Sequence, residues 1–200
     1  TVYLEVNQLN EEFLGTQHPE YVRGLFNLAS LYSSMEAWKK AEKLLEESIT
    51  ITQQVLGKEH NLYALQLILL ASVFESNEQI DKAKAVYQEA LAVGIKIFGK
   101  YHYEVGSTYA NMGRFLNDID AHTSADEAFN NGIEIFMELF GPNHYTTLAT
   151  QNQRLQLLLD TKQYDAFEAA CFQTIAQNIY KETIPLTIDE AWVNMVASAD

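Results

Sequence analysis

The chain has 200 residues, 48% of them hydrophobic and 20% charged, with 9 Gly and 3 Pro. That composition supports a sizeable core and excludes a disordered chain. A formal net charge of −14 argues against a nucleic-acid backbone as partner, which needs clustered Lys and Arg, and equally against an anionic membrane surface. No apolar run approaches the roughly 20 residues that span a bilayer, nothing at the N-terminus reads as a signal peptide, and the single cysteine, Cys171, rules out an internal disulfide framework. A cytoplasmic location is the expectation from that cysteine usage. The chain opens on Thr1 and its first repeat looks cut in half, so it is read as a piece of something longer.

Taken in chain order, residues 3–13 read as one helix. The phrase LGTQHP at Leu14 then returns as LGKEHN at Leu56, FGKYHY at Phe98 and FGPNHY at Phe140, always at the same interval. Fixed self-similarity of this length marks a repeat architecture. The units are 14–55, 56–97, 98–139 and 140–181. Stacking them aligns Ala29 with Ala71 and Gly113, Tyr32 with Phe74, Leu116 and Leu158, Ala41 with Ala83 and Ala125, and Ser48 with Ala90, Gly132 and Thr174. Each unit holds two helical patterns. In the first, Leu25, Leu28, Ala29 and Tyr32 form one apolar face, and Ala41, Leu44, Leu45, Ser48 and Ile49 form another. Neither helix can bury its stripe alone, whereas stacked pairs bury a continuous core. The fourth unit departs from this pattern. Gln151 and Arg154 stand where Leu25 and Leu28 do, and Phe167 replaces the small Ala, so its first helix is expected to be rotated or to cap the stack. Beyond it, Pro185 and the capping-box signature TIDE (Thr187–Glu190) predict a last helix over 182–200 starting near Ile188, with Trp192, Val193 and Val196 covering the end.

The phrases NLASLY (Asn27–Tyr32) and AWKKAEKLLEESI (Ala37–Ile49) resemble the tetratricopeptide repeat, in which a large apolar residue, Leu-Ala and an aromatic are followed by Trp/Tyr-x-x-Ala. Units longer than the usual repeat, with a Leu-Gly-x-x-His-Pro linker, are similar to the kinesin light chain type. The resemblance covers residues 14–181, with 1–13 as the outer helix of a truncated preceding repeat. It implies an all-α fold, a right-handed superhelical solenoid of stacked helix-turn-helix repeats over 1–200. It also implies a concave side lined by the first helix of each unit, and a cargo groove of the kind that kinesin light chains use to read an aromatic among acids through a basic lining.

Catalytic and metal chemistry finds no footing. His18, His60, His102 and His144 occupy equivalent places. Packed helices lie about 8–10 Å apart, and zinc holds nitrogen at about 2.1 Å, so these histidines cannot share an ion. None has a second His at i+4, and no phosphate-binding or nucleophile-elbow motif is present. The Gly of each linker is expected to end the outer helix, and the His to bond local backbone or stack at the start of the next inner helix. Cys171 falls on the core stripe of an outer helix, where a small hydrophobe is expected. The carboxylate pairs Glu46–Glu47 and Glu11–Glu12 fall on exposed faces. The chain is therefore read as no enzyme, with no catalytic residue, cofactor or metal.

The inner helices are placed at 22–35, 64–77, 106–119 and 148–161. They hold Arg23, Arg114 and Arg154 against Glu75, Asp118 and Asp160, so they read as neutral. All three arginines of the chain lie there, while the ten lysines lie elsewhere. Arg suits planar recognition of carboxylates. One face, read at i, i+4, i+7, gives Arg23, Asn27 and Ser30, then Leu65, Leu69 and Ser72, then Ser107, Asn111 and Arg114, then Ala149, Gln153 and Gln156. Amides in a row can bond an extended peptide's backbone, and Leu65 with Leu69 offers a small apolar patch. The resemblance supports that role for Asn27 and Asn111, since inner-helix asparagines of such repeats clasp peptide backbones. Position 69 is Leu and 153 is Gln, so the ladder is broken in one unit and altered in another.

The function expected is a non-catalytic interaction module that binds a protein or peptide in its concave groove, with no nucleic-acid or membrane partner. Two alternatives stay open. One is a structural spacer in a large complex, using its acidic ends and edges. The other is a docking arm of a longer enzyme. Residues 1–21, 122–139 and 182–200 each carry four acids and neither Lys nor Arg, which is either solvated surface or a face for a basic partner. Oligomeric state is left open.

Overall fold

The computed structural model describes residues 2–179, and among these the chain is all-helical. Its helices are α1 (Val2–Leu14), α2 (Pro19–Ser34), α3 (Trp38–Val55), α4 (Asn61–Ser76), α5 (Ile80–Phe98), α6 (Tyr103–Asp118), α7 (His122–Phe140), α8 (Tyr145–Asp160) and α9 (Tyr164–Ile179). The helix expected from about Ile188, with Trp192, Val193 and Val196, lies outside the described residues.

Two kinds of turn alternate. The outer-to-inner turn uses glycine: Gly15, Gly57, Gly99 and Gly141 all have φ between +83 and +85°. At Gly99 and Gly141 ψ is 163 and 172°, a region essentially closed to residues with a Cβ. The inner-to-outer turn instead puts Glu36, Glu78, Asp120 and Lys162 at φ 57–59°, the left-handed region that a side chain can occupy at some cost. There the next residue's N–H reaches back to the helix, as in Ala37 to Tyr32, Gln79 to Phe74, Ala121 to Leu116 and Gln163 to Leu158, each at 2.9 Å. These bonds satisfy carbonyls that the helix end would otherwise leave open.

The recurring histidine is an N-cap. His18, His60, His102 and His144 have extended backbone, and each Nδ1 accepts a hydrogen bond from the N–H two residues on, at 3.2, 3.1, 3.2 and 3.2 Å. That satisfies one orphan donor of the helix start. Two of the rings also stack on the aromatic that precedes the glycine, Phe98 on His102 at 4.6 Å and Phe140 on His144 at 4.5 Å. Because the His caps the helix, each inner helix begins at once, at 19, 61, 103 and 145, three residues before the expected start, and ends one residue before the expected end.

Outer helices pack against the inner helices before and after them, and inner helices touch in succession, α2 on α4, α4 on α6 and α6 on α8. Small residues sit where the layers meet: Ala29, Ala41, Ala71, Ala83 and Ala125 are fully buried beside Leu45, Tyr63, Tyr87 and Phe115. α8 is not rotated, contrary to one of the expectations for the fourth unit. Thr147 and Gln151 are buried at the places of Tyr21 and Leu25, and Leu157 and Leu158 follow them inward. At the other end, α1 packs on α2 but leaves Val2, Val6, Leu9 and Phe13 exposed.

Candidate peptide-binding site

The candidate residues share the open face of the inner row. Arg23, Asn27, Ser30, Arg114, Gln153 and Gln156 are exposed; Leu65, Leu69, Ser72, Ser107 and Asn111 are half-buried. Since α2, α4, α6 and α8 touch in order, these positions form one strip, repeated at every level. The strip stays open because the core claims the opposite side of each helix: Leu25, Leu28 and Ala29 on α2, and Leu67, Leu70 and Ala71 on α4.

The electrostatics of the strip differ from the sequence reading in two ways. The observed helix bounds bring Glu20 and Glu104 onto the inner row beside Glu75, Asp118 and Asp160. The four inner helices then carry five acids against Arg23, Arg114 and Arg154, so the row is acidic and not neutral. The arginines are also engaged. Arg23 pairs with Glu20 on its own helix, and that bond holds the Glu20 carboxyl below, and the Arg23 guanidinium above, their ordinary values. Arg114 reaches Glu75 on α4 at 2.6 Å and lies 4.0 Å from Asp118. Arg154 binds Asp126 on α7 through Nε at 2.6 Å and Nη2 at 3.3 Å. Guanidinia committed in this way are poorly placed to read a partner's carboxylates.

The Arg114 contact belongs to a network that sequence reasoning missed. Glu75 also accepts the Tyr87 hydroxyl at 2.7 Å, which ties α4, α5 and α6 together. Burial, with the Glu75 charge adding to it, pushes the Tyr87 phenol far up from its ordinary value. The Tyr63 phenol is likewise pushed up to about 12 by burial and by its bond to Glu89. Glu75 and Arg114 lie on different repeats, at a separation with no local signature, so only the fold brings them together.

The amides stand differently. The side chains of Asn27, Asn111 and Gln153 make no hydrogen bond among the described residues, while Gln156 donates to Asp160 at 2.8 Å. Asn27 and Asn111 occupy the same register position two units apart, with half-buried Leu65 and Leu69 between them. This leaves free donors and acceptors flanking an apolar patch, an arrangement suited to an extended backbone with one apolar side chain seated between the amides.

Other candidates resolve as structure. The carboxylates Glu11, Glu12, Glu46 and Glu47 are exposed. Cys171 is half-buried, unlike its fully buried equivalents Leu45 and Tyr87, so it does not sit in the core as expected. Burial and the Glu168 charge push its thiol up, away from the thiolate that a nucleophile needs. Among the described residues no three His, Cys, Asp or Glu side chains gather as a metal site, and no helix is long and apolar enough to cross a membrane.

A family profile described as tetratricopeptide repeat matches residues 25–96. Over those residues the chain is similar to tetratricopeptide repeats. Solved structures agree on its fold. The nearly identical TPR-like repeats assigned to a kinesin light chain of Podosopora anserina match with a TM-score of 0.73 at 18% identity, over 92% of this chain and 87% of that one. BtubC (BKLC) of P. vanneervenii matches with a TM-score of 0.77 at 19% identity, over 93% of this chain and 74% of that one. A Rap protein complexed with competence and sporulation factor matches with a TM-score of 0.65 at 16% identity, over 79% of this chain and 43% of the other. No curated protein matches the sequence. The tetratricopeptide-repeat architecture is in general one for binding other proteins, and this fits a scaffold role.

Proposed function

We propose that the chain is a non-catalytic interaction module that holds an extended peptide along its inner row. The observation that carries this reading is the free amide pair Asn27 and Asn111 flanking half-buried Leu65 and Leu69. The likeness to a Rap protein complexed with competence and sporulation factor adds a fold-level precedent for a bound partner. The acidic balance of the row and its engaged arginines favour a peptide that is neutral or basic, with an apolar side chain facing Leu69. An acidic cargo peptide would meet Glu20, Glu75, Glu104, Asp118 and Asp160 against arginines already paired.

Peptides selected from a random displayed library against the purified chain supply the test. Replacing both asparagines (Asn27→Ala, Asn111→Ala) removes two side-chain-to-backbone bonds of about 1 kcal/mol each, so affinity for the selected peptides should fall roughly 30-fold. Selected peptides that bind the double variant as tightly as the parent chain would sink the proposal. Charge reversal at Arg114 is a poor probe, because a carboxylate there would face Glu75 and disturb the Tyr87 network.

A second reading has its own observation. The exposed row Val2, Val6, Leu9 and Phe13 on α1 favours a contact at that end of the stack, as a spacer would need. Replacing Val6 and Phe13 by Ser should abolish such a contact in a reconstituted assembly and leave peptide binding untouched.

A further inference from the structure

The floor between successive outer helices is set by two inner-helix positions. Level by level these are Leu25 and Leu28, Leu67 and Leu70, Tyr109 and Met112, then Gln151 and Arg154. The first two pairs are buried, and Tyr109 and Met112 pack against the core. At the fourth level the apolar filling is gone, and a cavity of about 490 Å³ lies between α7, α8 and α9. That is within the range of sites that hold small molecules or single inserted side chains, about 300–1,000 Å³. On α8 the cavity residues Gln151, Arg154 and Leu155 lie roughly 100–160° around the helix from Gln153 and Gln156. The cavity is therefore separate from the inner strip.

Its chemistry is mixed. Ile133, Met137, Leu155 and Ala170 give apolar wall, and Glu134 and Glu138 give charge. The other charges are neutralised: Arg154 by Asp126 at 2.6 Å, and Glu134 by Lys100 at 2.6 Å with the Tyr101 hydroxyl at 2.9 Å. Glu138 has no partner among the described residues. Neither α7 nor α9 carries a Lys or Arg. The cavity thus offers apolar wall for a stem and one uncompensated carboxylate. We propose that it takes a cation carried on an aliphatic stem, an ammonium or guanidinium whose methylenes lie on Met137 and Leu155 and whose head meets Glu138. Long basic side chains divide themselves in this way between apolar surface and a charged partner. Such a group can come from a partner protein's lysine or from a free polyamine.

Met137 makes the test direct. The chain has 4 methionines, and with ¹³C-methyl labelling the Met137 methyl reports on the cavity while Met35, exposed at a distant turn, serves as control. The probes are N-acetyl-lysine amide, the same molecule acetylated on its side-chain nitrogen, and spermidine. The expected result is a saturable shift of Met137 but not of Met35 with the charged probes, none with the acetylated one, and affinity lowered roughly tenfold in Glu138→Gln, the size of one charge-assisted hydrogen bond. Saturation by the lysine probe at lower concentration than by spermidine assigns the cavity to a protein side chain, and the reverse order assigns it to a polyamine. A Met137 that does not respond, an equal response to the acetylated probe, or an unchanged affinity in Glu138→Gln would each overturn the proposal. Circular dichroism of Glu138→Gln checks that the variant keeps its fold, which the exposure of Glu138 leads one to expect.

Discussion

The third and fourth helix pairs share one register and pack differently. In the third, α6 and α7 close on three glycines. A Cβ on Gly106 would meet Phe136 at 2.8 Å and Ile135 at 3.0 Å, and one on Gly113 would meet Phe129 at 2.7 Å. On Gly132 it would lie 3.2 Å from the Gly106 carbonyl oxygen. In the fourth pair the same positions are Leu148, Leu155 and Thr174. Those side chains forbid so close an approach, the pair's floor is polar, and a cavity remains. The difference teaches that this repeat tolerates two ways of joining its layers. One removes side chains so that aromatic rings can nest, and the other keeps side chains and leaves a space between the layers.

The largest effect should come from giving the third pair the fourth pair's residue. Gly113→Leu drives a branched side chain into Phe129, which is itself buried. Helix propensity returns up to about 1 kcal/mol, but overpacking here should cost about 3 kcal/mol or more. For a chain of this size that lowers the thermal midpoint by roughly 10 °C, which calorimetry or circular dichroism would read. Leu155→Ala, at the same register in the looser pair, should cost only about 1 kcal/mol, since Leu155 is half-buried and borders a space already open. Equal losses at the two positions would mean that the pairs are packed alike after all.

Next in size is the Arg154–Asp126 pair, whose side chains keep 15% and 25% of their exposure. Arg154→Met imports the residue of the third pair and leaves Asp126 mostly buried without its partner, at a cost of about 2 kcal/mol. Adding Asp126→Asn should restore most of that loss, because the uncompensated charge is gone and Met fills part of the cavity. Urea denaturation of the two single variants and the double variant gives the coupling directly. A double variant no more stable than Arg154→Met would show that the ion pair is not what holds α7 to α8.

The repeat carried most of the fold in the sequence, because a helix stripe with fixed small residues recurs at one constant interval and each copy checks the others. The His-Gly phrase located the turns, but its cap role moved the inner helices forward by three residues, and a hydrogen bond from Nδ1 to the N–H two residues on has no signature beyond the His itself. The open strip was legible for the same reason as the core: it is the face that the apolar stripe leaves over. Its charge state was not. Whether Arg114 is free depends on Glu75, and whether Arg154 is free depends on Asp126; both pairs join different units, where separation along the chain says nothing about distance. The cavity had a visible sign, Gln151 and Arg154 standing in for leucines, but a polar pair at a core position could equally have meant a rotated helix. Only the burial of Thr147 and Gln151 decides between them.

The smallest effect tests where the two pairs are alike. Asp120 and Lys162 close the inner-to-outer turns of the third and fourth pairs with φ 59 and 57°. Glycine would relieve left-handed strain at either place, offset by the freedom it adds to the unfolded chain. Asp tolerates this conformation better than Lys, since its short polar side chain can bond locally. Lys162→Gly should therefore stabilise by roughly 0.5 kcal/mol and Asp120→Gly by close to nothing, a difference of about 1–2 °C in thermal midpoint. If Lys162→Gly destabilised the chain instead, the fourth turn would be held by contacts that its backbone does not reveal, and the likeness between the pairs would end at the turn as well as at the interface.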